Sequence, residues 1–339
     1  MGLDYRKSIL EALRDSVGEW VSGQQLCHEF GISRMAVSKH VRALRQQGYE
    51  IEAAPRKGYR FHDGPNLLFP EEIRSNLQTE VFGQGLIEYA EVMESTHLRA
   101  EELALSGYRE GTLVVAESQT HGRGRRGRSW YSGTRTGLCM SVVMRPPFAP
   151  DWAAILALTS VLAVAEGLLE ASKLPIRICW PNDLFIGERK LGGVLVEVSS
   201  DVEAISYMVV GIGLNINQSK MHFPTELRDQ ATSLRMESGK VWDRVSIMQK
   251  VLFHLEKLYW ALDDGMAKSI LQRWRELDLL LGRAVSLETM EGVINGTAMD
   301  ISPDGKLILQ DDHGKLIPVI GGKLKGHHPP FHPPSSSAL

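Results

Sequence analysis

The sequence is poor in cysteine, in long apolar runs and in net charge, and each shortage removes a class of protein. Only three cysteines occur in 339 residues. Cys27, Cys139 and Cys179 are odd in number, widely spaced and set in apolar sequence, so they read as reduced packing residues and exclude a disulfide frame or a zinc site. No apolar run approaches membrane-spanning length, and the start Met1-Gly2-Leu3-Asp4-Tyr5-Arg6 has no apolar targeting core. A cytoplasmic protein without a membrane partner is expected. The formal net charge is only -3, yet residues 32–60 hold seven Arg or Lys against two Glu. A nucleic-acid partner is therefore expected of the N-terminal part alone.

What is present centres on Gly122-Arg123-Gly124-Arg125-Arg126-Gly127-Arg128, between Gln119 and Trp130. Four guanidinium groups on a backbone with three glycines predict a mobile cationic loop suited to a polyphosphate. The spacing also fits a dinucleotide fingerprint, but that motif needs a helix opening at the third glycine and an acid about 20 positions on, where this chain has Arg145. Strand-like segments flank the loop on both sides, unlike a low-complexity nucleic-acid tail.

At the N-terminus, Ile9, Leu10 and Leu13 fall at helical spacing, and Ser22 is placed to cap a second helix through Phe30. After the break at Gly31-Ile32, Ser33 caps a third helix whose Val37, Val41 and Leu44 make a core face. Its outer face carries Arg34, Ser38, Lys39, Arg42 and Arg45. The segment Ala54-Pro55-Arg56-Lys57-Gly58-Tyr59-Arg60-Phe61 reads as a hairpin with a basic tip. This is the pattern of a winged helix-turn-helix, with Ser33, Arg34, Ser38, Lys39, Arg42, Arg56 and Lys57 as candidate DNA contacts.

The chain therefore divides into a winged helix at 1–63, a linker at 64–69, a mixed α/β domain at 70–280, a small all-β domain at 281–325 and a His/Pro-rich tail at 326–339 that cannot form a core. In the α/β part, strands are predicted at 86–93, 112–116, 138–144, 176–179, 191–198 and 207–213. Helices are predicted at 95–107, 153–171 and 244–277. Polar residues interrupt the apolar strands at three places: Trp180-Pro181-Asn182-Asp183, Arg189-Lys190-Leu191-Gly192-Gly193 and Gly211-Ile212-Gly213-Leu214-Asn215. A lysine at a strand mouth followed by two glycines suggests a carboxylate or phosphate site, though a turn lysine looks the same.

Together with Glu94-Ser95-Thr96 and Glu117 to Trp130, these segments resemble the biotin protein ligases in content and order. With the winged helix, the match is to the bifunctional ligase and biotin-operon repressor of bacteria, over roughly residues 5–322. The resemblance implies an α+β multidomain fold, with a class II synthetase-like ligase domain and a small SH3-like β-barrel. It implies ATP-dependent activation of biotin to biotinyl-5′-AMP with release of pyrophosphate, then transfer to a lysine of a biotin carboxyl carrier protein. It further implies repression at an operator by a homodimer that biotinyl-AMP favours.

By motif, Ser95, Thr96, His97, Gln119, Arg123, Gly124, Arg125, Lys190 and Gly193 would bind biotin. Arg126, Arg128, Trp130, Asn182 and Asn215 would bind ATP or the adenylate. Lys190, Arg123, Arg125 and Asp183 would be catalytic, with Asp183 also a candidate Mg²⁺ ligand. The chain departs from the family at His97, where Asn is usual, at Cys179, where lysine is common, and at Gly321-Gly322-Lys323, which lacks an acid after the glycine. A ligase without active regulation, a lipoate-type ligase and a ligand-sensing repressor without catalysis remain as alternatives.

Overall fold

The computed structural model describes residues 5–16, 18–63, 66–133, 135–289 and 292–325. By contact density the chain separates into two compact units, 1–67 and 68–339. The His/Pro tail lies outside the described residues.

The first unit contains α1 (Tyr5–Arg14), α2 (Gly23–Phe30), α3 (Arg34–Gln46) and the hairpin β1 (Glu50–Ala54) with β2 (Gly58–Asp63). The Ser22 and Ser33 hydroxyls accept from the backbone N–H of Gln25 and Ala36, so the expected serines do cap α2 and α3. Ile9, Leu10, Leu13, Leu26, Val37, Val41 and Leu44 close the core. Val21 exchanges backbone hydrogen bonds with Tyr59 at 2.8 and 2.9 Å, a single antiparallel bridge that ties the wing to the segment before α2. That approach requires Gly58, where φ is +106° and a Cβ would lie 2.0 Å from the Val21 carbonyl oxygen.

The second unit is built on α4 (Pro70–Ser75), β3 (Ile87–Met93), α5 (Thr96–Leu105), β4 (Leu113–Gln119), β5 (Gly122–Arg123), β6 (Ser129–Trp130), β7 (Gly137–Met144) and α6 (Ala153–Ser172). It continues through β8 (Ile176–Cys179), β9 (Asp183–Ile186), β10 (Arg189–Ser200), β11 (Ile205–Asn215), α7 (Leu234–Ser238), α8 (Arg244–Asp263) and α9 (Ala267–Leu277). It closes with β12 (Ala284–Thr289), β13 (Gly292–Ile301), β14 (Leu307–Gln310), β15 (Leu316–Val319) and β16 (Lys323–Leu324). A seven-stranded sheet runs in the order β3-β4-β7-β11-β10-β9-β8, parallel only between β3 and β4.

Helices α6 and α8 cover the apolar face of this sheet. Pro150–Ser172, counting the 3-10 turn before α6, is long and apolar enough to cross a membrane. This corrects the expectation that no such run exists; the helix is mostly buried, as the core helix of a soluble fold would be. Two further differences from the sequence reading stand out. Asp183–Ile186 is a strand of its own, where only a turn was expected. The predicted helix 244–277 breaks into α8 and α9 at Asp264-Gly265-Met266, with Gly265 at φ +78°.

The C-terminal strands form one antiparallel sheet in the order β15-β14-β13-β12-β16. Its end strands are not paired with each other among the described residues, so the sheet is open. Its buried Val285, Leu287, Ala298, Leu307 and Leu309 are continuous with the core of the larger sheet.

Candidate functional site

The site forms where the polar strand ends meet. Glycines 211 and 213 lie two residues apart on β11 and so face the same way. A Cβ on Gly211 would lie 2.6 Å from His97 Nδ1, and one on Gly213 would lie 2.6 Å from the Trp130 indole. The two rings therefore rest directly on bare main chain and help to wall a cavity of about 110 Å³. The cavity is also lined by Thr96, Gln119, Arg123, Gly124, Arg125, Arg128, Asn182, Asp183, Lys190 and Gly193. It lies beside a cleft of about 1080 Å³ that shares Arg125, Arg128, Trp130, Asn182, Asp183 and Lys190, and to which Arg126 and Asn215 are added.

At the inner end the polar groups form a chain. Ser141 Oγ donates to Thr96 Oγ1 at 2.9 Å, and Gln119 Oε1 accepts from Thr96 Oγ1 at 3.1 Å and from Thr96 N–H at 2.7 Å. Ser132 Oγ accepts from the Gln119 N–H at 2.7 Å and fixes that residue's backbone. Ser95 is spent differently. It caps α5, its Oγ accepting from the Leu98 N–H at 3.4 Å, and does not line the cavity. The stretch before Gln119 is held by a wholly buried ion pair in which Arg244 Nη1 donates to Glu117 Oε2 at 2.7 Å and to the Gly137 carbonyl at 2.9 Å. Glu117 Oε1 also accepts from the Leu68 N–H at 2.8 Å.

At the outer end Lys190 Nζ donates to Asp183 Oδ1 at 2.7 Å and lies 5.9 Å from the Trp130 ring centre. The β10–β9 register pairs Gly193 with Asp183, and a Cβ at Gly193 would crowd Asp183 Oδ1 at 3.1 Å. Glycine keeps this space open beside the two charges. Arg125 is half-buried and donates weakly to Asn182 Oδ1 at 3.4 Å. Burial, with Arg126 next to it, lowers its pKa.

The arginine loop is not unstructured. It is a short hairpin with Gly122 opposite Trp130 and Arg123 opposite Ser129, and its tip is closed by a Gly124 N–H to Arg128 carbonyl bond of 2.7 Å. Arg126, at φ +59°, points away from the cavity and donates to the carbonyls of Glu288 at 3.1 Å and Gly321 at 3.3 Å. The C-terminal sheet thus grips the hairpin through main-chain oxygens, so it meets the hairpin without the missing acid after Gly321.

Asp183, expected as a magnesium ligand, accepts from Lys190 in this structure. Among the described residues no group of three or more His, Cys, Asp or Glu is placed to hold a metal. Burial pushes the Cys139 thiol up to about 12 and the Cys179 thiol well above its ordinary value, which leaves both as inert packing groups.

In the first unit the exposed face of α3 carries Arg34, Ser38, Lys39, Arg42 and Arg45, and the wing tip exposes Arg56 and Lys57. Lys57 and Arg60 lie 5.5 and 4.8 Å from the Trp20 ring centre, which helps to order the wing.

Sequence reasoning missed Ser141, Ser132 and Arg244. Ser141 sits inside an apolar strand, and the other two mark themselves only through partners distant in sequence.

The class defined by this fold and site is a winged helix-turn-helix joined to a ligase-type domain whose cavity is lined by arginines and a lysine. Residues 89–215 match the Biotin/lipoate A/B protein ligase family, residues 6–60 an HTH domain, and residues 280–323 the Biotin protein ligase C terminal domain. The chain is 39% identical over 309 residues to the bifunctional ligase/repressor BirA of Bacillus subtilis, covering 91% of this chain and 95% of that protein. It is 30% identical over 307 residues to BirA of Escherichia coli, covering 91% and 93%. Among solved structures, the biotin protein ligase from Aquifex aeolicus in complex with biotin and ATP superposes with a TM-score of 0.62 at 32% identity, over 71% of this chain and 98% of that one. The chain belongs to the bifunctional ligase/repressor family of biotin protein ligases.

Proposed function

We propose that this chain activates biotin with ATP and transfers it to a lysine of a biotin carboxyl carrier protein. In the first step a biotin carboxylate oxygen attacks the α-phosphorus of ATP, and the bond to pyrophosphate breaks. In the second the acceptor lysine, having lost its proton, attacks the acyl carbon, and AMP leaves.

The observation that carries this reading is Lys190 Nζ beside Asp183 at the junction of a small polar cavity and a large cleft, with Arg125 above them. Two anions must meet for the first step, so cationic neutralisation and alignment are its main requirements. In this reading Thr96 and Gln119 hold the ureido ring, and Lys190, Arg123 and Arg125 hold the carboxylate and the α-phosphate. Trp130, Arg128, Asn182 and Asn215 serve the nucleotide, and Gly193 admits the ligand to the backbone. Magnesium would enter on the phosphates, where it would neutralise charge on the leaving group; among the described residues no group of three or more His, Cys, Asp or Glu is placed to hold it.

The domain boundaries 1–63, 70–280 and 281–325 belong to the proposal, as do the SH3-like and class II synthetase-like architectures, supported by the five-stranded and seven-stranded sheets. So does a cytoplasmic setting, which the free thiols of Cys27, Cys139 and Cys179 suit. The cationic faces of α3 and the wing support operator binding by a homodimer that biotinyl-AMP favours.

The decisive experiment incubates the protein with biotin, MgATP and a carrier domain. The biotin mass should appear on one carrier lysine, and its absence would overturn the enzymatic reading. Duplex binding unchanged by biotin plus ATP would overturn the regulatory one.

A further inference from the structure

His97 is 3% exposed and its ring lines the cavity. Its Nε2 lies 2.8 Å from Glu197 Oε2, while its Nδ1 is buried without a hydrogen-bond partner. A carboxylate only accepts, so a neutral ring beside it carries its proton on Nε2 and leaves a lone pair on Nδ1. That lone pair and Ser141 Oγ converge over Gly211: the position a Cβ would take lies 2.6 Å from the first and 3.5 Å from the second. The hydroxyl hydrogens nearby are already committed, because Ser141 donates to Thr96 and Thr96 donates to Gln119. The inner end of the cavity is thus rich in acceptors, which suits a ligand ring presenting N–H groups.

We infer that Glu197 is a positioning residue which, by holding the His97 proton on Nε2, keeps Nδ1 as an acceptor for a ureido N–H of biotin. The inference rests on the biotin reading above. Glu197 itself is half exposed and is not part of the cavity lining, so it acts through the imidazole. The charged groups facing the ring are Glu197 on β10, Glu101 on α5 and Arg123 on the arginine hairpin. Burial outweighs the two glutamates and holds the imidazole pKa below its ordinary value, with Arg123 assisting, so the ring is neutral at pH 7 and above.

The test is a double-mutant cycle on biotin affinity at pH 8, without nucleotide, using the full-length protein. In Glu197→Lys the ammonium can only donate to Nε2, the proton moves to Nδ1 and biotin binding weakens about tenfold, the worth of one directed hydrogen bond. In a His97→Asn background the same change alters affinity less than about twofold. Wild-type affinity also falls as the pH drops below the ordinary imidazole range, whereas His97→Asn shows no such step. A loss of equal size in both backgrounds, or no loss in Glu197→Lys alone, overturns the inference. Should His97→Asn fail to fold, the ¹⁵N resonance of His97 Nδ1 in the wild type decides: a shift on adding biotin supports the contact, and no shift overturns it. If the wild type does not bind biotin at all, it is the biotin reading that falls.

Discussion

Lys190 Nζ lies 2.7 Å from Asp183 Oδ1, and the two strands that carry them are antiparallel neighbours in one sheet. The lysine is thus pre-aimed by its carboxylate before any ligand arrives, and an incoming anion must share it. Lys190→Ala should reduce biotin-dependent pyrophosphate release by about a hundredfold or more, in the range of other lost oxyanion contacts. Asp183→Asn should instead leave biotin affinity intact or raised while slowing turnover. Single-turnover pyrophosphate assays separate the two outcomes.

The buried Arg244–Glu117 pair is a second consequence of charge placement. Arg244→Met leaves Glu117 without its cation in a site with no exposure, at a cost of about 3–5 kcal/mol. Adding Glu117→Gln should recover part of that loss, because an amide oxygen can still accept from the Leu68 N–H. Urea unfolding of the two variants measures the difference.

Arg126 joins the arginine hairpin to the C-terminal sheet. Arg126→Ala removes two hydrogen bonds to carbonyls at an exposed position, so global stability should change by no more than about 1 kcal/mol. The hairpin itself should become more sensitive to limited trypsin cleavage, and ATP should bind several-fold more weakly. Unchanged cleavage would mean that the grip does not order the loop.

Asp278 sets a pH dependence. Burial pushes its carboxyl up to about 7, against the N–H groups of Leu280 and Leu281 that favour its charge. In the unfolded chain the group ionises near its ordinary value of about 4. Between those two values the folded state keeps a proton that the unfolded state has released, so stability falls as pH rises from about 4 to 7 and stays lower above. Asp278→Asn should raise the melting temperature relative to wild type at pH 8, by the equivalent of ~1–2 kcal/mol, and give no gain at pH 4. Thermal scans at the two pH values check the sign.

On the winged helix, Arg42→Ala and Lys57→Ala should each lower the slope of log affinity against log salt for a nonspecific duplex by about 1. Fluorescence anisotropy over a salt series reads this directly.

Much of this could be read without coordinates because it was local. Ser22, Ser33 and Ser95 announce helix starts by type and position, and the polar interruptions at Trp180–Asp183, Lys190 and Asn215 announce strand ends that must serve a ligand. What stayed hidden depends on pairing across the chain. Ser141 looks like one more small residue in an apolar strand until Thr96 is beside it. Arg244 gains its meaning from Glu117, which no periodicity links to it. Asp183–Ile186 was hidden because its glycine-bounded apolar triplet is too short to declare itself as a strand. The outward turn of Arg126 follows from where the C-terminal sheet packs, which no motif records.

The bare backbone at Gly211 and Gly213 has a further consequence for what this pocket could be made to accept. Its floor belongs to two removable rings laid on the sheet, and the sheet supplies no side chain there. Trimming His97 or Trp130 would carve volume from side chains and leave the main chain of the seven-stranded sheet as it is, so larger cyclic ureas could be admitted one ring at a time. The fold would serve as a bench on which the recess is re-cut.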